Sequence, residues 1–130
     1  MRAVRSLEEI VGLDLSAQCV VLSACATAAG RVLRGEGVQS LATGFLHAGA
    51  RSVVASLWNV EDRDAMQVLR RFEAFSLGPD ALHPARALRQ AKLEFLRSAD
   101  ERGEAVDAGE RHSRAPWQWA AFVYIGAPPR

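Results

Sequence analysis

Two short apolar runs, residues 18–24 and 52–58, flank a stretch whose apolar residues recur at helical spacing. That order restricts the fold more than any other feature of the chain. In the first run, Cys19-Val-Val-Leu-Ser-Ala-Cys25, the residues Val20, Val21 and Leu22 predict a buried strand. Between the runs, Val38, Leu41, Ala42, Phe45 and Leu46 fall at i, i+3, i+4, i+7 and i+8, one face of a helix over 37–48. Gly49 is placed to stop it. The second run, Ser52-Val-Val-Ala-Ser-Leu-Trp58, predicts a second strand. A strand, a helix and a strand in this order predict a right-handed βαβ unit with parallel strands.

Further along, Ala65, Val68, Leu69, Phe72 and Phe75 share one face of a helix over 61–76. Gly78-Pro79-Asp80 breaks that helix. A third helix begins at Pro84 and runs to about Arg97, burying Ala85, Leu88, Ala91, Phe95 and Leu96. Upstream, Leu7, Ile10, Val11 and Leu13 predict a turn or two of helix leading in. Residues 98–115 carry no apolar period and read as a mobile surface loop. The last run, Trp119-Ala-Ala-Phe-Val-Tyr-Ile125, predicts an interior strand that ends at Gly126. No internal repeat is visible. The expectation is an α/β chain forming one domain over 1–130.

Composition excludes several functions. The chain has 130 residues, with sixteen basic against fifteen acidic and a formal net charge of +1. No electrostatic footprint for DNA or RNA follows from that balance. No apolar run approaches the ~18 residues of a membrane span, and Glu8, Glu9 and Asp14 are wrong for a secretory signal. A cytoplasmic protein is expected. Cys19 and Cys25 lie about 20 Å apart if the strand between them is extended, too far for a disulfide. His47, His83 and His112 show no metal-ligand spacing with either cysteine, so neither metal nor cofactor is expected. Gly30-Arg-Val-Leu-Arg-Gly35-Glu-Gly37 lacks the Lys-Ser/Thr ending of a phosphate loop. Trp58, Trp117 and Trp119 lack the basic groove of a base-stacking platform.

Cys25 is the candidate for chemistry. A thiol just past a strand lies at a sheet edge, where open α/β folds meet ligands. The residues after it, Ala26-Thr27-Ala28-Ala29-Gly30, are small enough to let another chain approach the sulfur. A buried structural cysteine is the alternative that these residues alone leave open.

Three blocks in order resemble the C-terminal part of the CHAT domain, the caspase-like module often joined to tetratricopeptide repeats. They are Val20-Val-Leu-Ser-Ala-Cys25; Gly35-Glu-Gly37 through Phe45 to Gly49-Ala-Arg-Ser-Val-Val-Ala-Ser-Leu-Trp58; and Trp119-Ala-Ala-Phe122. The resemblance spans about residues 13–127. It implies a three-layer caspase-like fold, a mostly parallel sheet with helices on both faces, here lacking its N-terminal strands. It makes Cys25 the peptidase nucleophile and points to the backbone after it, at Ala26 and Thr27, as an oxyanion site. The family usually has an acidic residue, a Thr and a Gly after the cysteine, where this chain has Ala26, Thr27 and Ala28. A distant resemblance to separases assigns Asp62, with Asp64 second, to receive a substrate arginine. A helix N-terminus favours the same carboxylates, so a structural role stays open.

One partner of the family's catalytic dyad is missing from the sequence. Caspase-like peptidases take their general base from a histidine well upstream of the cysteine, and none of the 24 residues before Cys25 is a histidine. Two functions therefore stand side by side. The chain is a cysteine-peptidase segment acting on a protein or peptide, with its base supplied by an N-terminal half-domain or a tetratricopeptide-repeat partner chain. Alternatively, it is a non-catalytic interaction module or truncated remnant.

Overall fold

The computed structural model describes residues 7–23, 36–101 and 115–128. Among them the chain is mixed α/β, with five helices and a three-stranded sheet. The described residues up to Asn59 together with Phe122–Pro128 form one compact unit, and those between Val60 and Ala121 form a second.

The first unit holds the sheet. Strands β1 (Val20–Leu22) and β2 (Ser52–Ser56) run parallel, with Val20 opposite Val53 and Leu22 opposite Ala55. The expected strand-helix-strand order is therefore present. The connection carries helix α2 (Glu36–His47), which buries Val38 and Ala42 against Val53 and Ala55. Phe45, Leu46, Val20, Leu22 and Ile125 pack around this cluster. Full burial of a valine such as Val38 or Val53 contributes about 1.5–3 kcal/mol. A short helix, α1 (Leu7–Val11), precedes β1 and buries Ile10. It approaches α2 closely because position 44 is glycine; a Cβ there would come within 2.7 Å of the Leu7 side chain.

The end of α2 follows from its sequence. Gly49 takes φ +109°, Gly49 N–H donates to the Leu46 carbonyl, and Ala50 N–H donates to that of Phe45. These two bonds close a Schellman motif and turn the chain toward β2. All five residues of β2 are buried. Its buried Ser52 hydroxyl is satisfied by donating to the Gln18 carbonyl at 2.8 Å.

Strand β3 (Phe122–Gly126) differs from expectation in two ways. It pairs antiparallel with β2, Phe122 opposite Ser56 and Gly126 opposite Ser52, so the described sheet is evenly mixed rather than mostly parallel. It also lies at the edge of the β1-β2-β3 order, with β2 in the centre. Phe122 enters beside Ser56, the residue that closes β2.

The second unit is helical. Helix α3 (Asp62–Leu77) buries Ala65, Val68 and Phe72, and helix α4 (Pro84–Glu101), which packs on it, buries Ala87, Leu88, Ala91 and Phe95. In the turn between them, Leu82 N–H donates to the Phe75 carbonyl at 2.8 Å. Helix α4 runs four residues past its expected end. The loop expected over 98–115 thus begins later, and its residues 102–114 lie outside the described ones. Trp119, expected in the last strand, closes the one-turn helix α5 (Pro116–Trp119), which Pro116 starts. Among the described residues no helix is long and apolar enough to cross a membrane.

Candidate active site

Because β1 and β2 are parallel and in register, their C-terminal ends share one edge of the sheet. Ser23 follows β1 there, and Leu57-Trp58-Asn59 follow β2. Leu57 and Trp58, expected within the strand, have left it and are 51 % and 40 % exposed. Val60 turns back in at 6 % exposure, and α3 begins two residues later. Cys25, Ala26 and Thr27, with the rest of 24–35, lie outside the described residues.

Cys19 stands at the opposite end of β1. Its thiol points weakly at the Val20 carbonyl, at 3.8 Å, and is half buried. Burial pushes its pKa up, outweighing the opposite pull of the neighbouring Ser52 side chain and Val54 backbone. A thiol held protonated in this way is a poor nucleophile.

The two acidic candidates after β2 have different surroundings. Asp62, the first residue of α3, is exposed. Asp64 is 6 % exposed, and its Oδ2 accepts a hydrogen bond from Gln118 Nε2 at 3.0 Å. In the first turn of α3, Asp64 and Ala65 N–H both donate to the Glu61 carbonyl, and the N-cap residue Glu61 makes no side-chain cap. Gln118 is a functional candidate that sequence reasoning passed over. Its Oε1 also accepts the Ala115 N–H at 2.7 Å, half of a capping box for α5. Pro116 at the first helical position followed by Gln118 at the third is the signal that points to this bond.

His47 is exposed in the last turn of α2, five residues before Ser52. It therefore stands by the N-terminal end of β2, a strand's length of about 13 Å from the edge where β1 and β2 finish. His83 Nδ1 accepts the Ala85 N–H at 3.2 Å and helps start α4. His112 lies outside the described residues. Among the described residues no three His, Cys, Asp or Glu side chains gather as a metal site would require.

Comparison with curated proteins and with solved structures finds no match to this chain. The family profile of the CHAT domain, by contrast, matches residues 4–127, all but a few terminal residues, and the chain belongs to the CHAT domain family.

Proposed function

We propose that this chain is the nucleophile-bearing segment of a caspase-like cysteine peptidase within the CHAT family, and that Cys25 is the attacking thiol. The observation that carries this reading is the parallel register of β1 and β2. It brings the end of β1, three residues before Cys25, to the same sheet edge as the end of β2. The covalent chain holds Cys25 within about 11 Å of the Leu22 Cα. Edges of this kind are where open α/β sheets meet their ligands. The finer architecture that goes with the reading is the three-layer caspase-like arrangement.

In the proposed reaction the Cys25 thiolate attacks the scissile carbonyl, and backbone N–H groups at Ala26 and Thr27 receive the oxyanion. The C–N bond breaks as the amine takes a proton, leaving a thioester at Cys25 that water hydrolyses. The proton carrier is an imidazole other than His47 and His83, which stand at a far strand end and at a helix start. It comes from another segment, in the same polypeptide or a second chain. Of the two acidic candidates, the exposed Asp62 is assigned to a substrate arginine, since Asp64 is engaged by Gln118. A carboxylate binds the guanidinium fork in a charge-assisted, geometrically selective pair.

The position of His47 favours a second reading, in which the chain keeps the sheet as an interaction module without catalysis. Chemical rescue separates the two. The purified chain with an arginine-ending fluorogenic peptide should be nearly inert in plain buffer, since proton transfer is worth roughly 10²–10⁴-fold. Added imidazole should raise turnover in the wild type and not in Cys25→Ala. Imidazole-dependent turnover that survives Cys25→Ala, or none at all, would leave the interaction module as the reading.

A further inference from the structure

Gln118 is the one side chain of α5 whose amide is fixed at both ends. Its Oε1 accepts from Ala115 N–H at 2.7 Å, so its Nε2 must face the other way, and there it donates to Asp64 Oδ2 at 3.0 Å. The receiving carboxylate is buried, where losing a donor is costly. Asp64 sits in the first turn of α3, two residues after Asp62, and the N-cap residue of that helix, Glu61, makes no side-chain cap. The residues joined are 54 apart in sequence.

We propose that Gln118 is a positioning residue which, through Asp64, holds the first turn of α3, and with it Asp62, in one fixed pose. The inference rests on the reading of Asp62 as the arginine-receiving carboxylate for its functional meaning, but not for its geometry. A binding carboxylate in a fraying first turn would lose orientation whenever the turn opens. The buried Asp64–Gln118 bond supplies what the missing cap does not. The arrangement also ties the order of this turn to α5, on the far side of residues 102–114.

The test is amide hydrogen exchange on the whole chain. In Gln118→Leu, the Asp64 and Ala65 amides, which close the first turn, should exchange about tenfold faster, the ratio expected for losing a charge-assisted bond. The amides of Val68 and Phe72, deeper in the same helix, should change much less. Gln118→Glu keeps the size and the acceptor for Ala115 but sets a carboxylate against Asp64, and should loosen the same two amides. Asp64→Asn keeps an acceptor oxygen for Gln118 but gives up the charge, and should loosen the two amides less than Gln118→Leu does. Equal acceleration along all of α3, or no acceleration at Asp64 and Ala65, would overturn the proposal. The preference of the thiol site for arginine over lysine peptides is read separately. If the turn loosens in Gln118→Leu and that preference persists, the positioning role stands and the assignment of Asp62 fails.

Discussion

Single residues set where this chain turns and where it can react. Gly49 is the sharpest case. Its φ of +109° belongs to glycine, and a Cβ there would run into the Leu15 carbonyl. Gly49→Ala should therefore cost ~2 kcal/mol or more by denaturant unfolding, since both strain and a backbone collision apply. A loss under about 0.5 kcal/mol, typical of a neutral surface change, would mean the turn tolerates a side chain. Cys19 offers a second residue-scale test. Its pKa is raised in the fold, so the folded state holds the proton more tightly than the unfolded one. The sign follows: this contribution to stability is fully present below the unfolded thiol pKa of about 8.5 and is lost as pH climbs through the higher folded value. Cys19→Ala should flatten that alkaline part of the stability profile. A profile steeper in the variant than in the wild type would reverse the assignment. The glycine was legible in the sequence as a helix stop. The thiol's environment was not, because Ser52 and Val54 reach Cys19 only through strand pairing.

At the scale of elements, periodicity carried most of the information. The apolar faces of α2, α3 and α4 were legible, with ends displaced by one to four residues. Continuous apolar runs were the weak point, because they do not separate a strand from the turn or helix beside it. Leu57 and Trp58 continue the run of β2 yet emerge from the sheet, and Trp119 belongs to the helical turn that Pro116 begins. The sense of β3 was equally hidden, since an apolar pattern carries no direction. The helical pair makes a direct prediction. Phe95 is fully buried in α4, whereas Leu77, at the end of α3, is 81 % exposed. Phe95→Ala should destabilise by about 3–5 kcal/mol. Leu77→Ala should change stability by no more than about 0.5 kcal/mol. Comparable losses at both positions would mean that Leu77 is covered in solution.

For the whole molecule, the family membership and the sheet edge bear on the same thiol. The sequence singled out Cys25 by its place after an apolar strand expected over 18–24; β1 itself covers Val20–Leu22, and Cys25 lies outside the described residues. The sequence placed Asp62 ahead of Asp64 by resemblance alone; the fold gives the two different surroundings, because a partner of Asp64 comes from α5. The measurement that bears most directly on the central claim is competitive labelling of the two cysteines by a thiol-reactive arginine peptide, located by peptide mass mapping. Such a probe needs a reachable thiolate beside a matching pocket, and it does not need a general base. Cys25 should be modified well ahead of the protonated, half-buried Cys19, and the arginine probe should outpace its lysine counterpart. Equal labelling of Cys19 and Cys25, with no preference for arginine, would contradict the account.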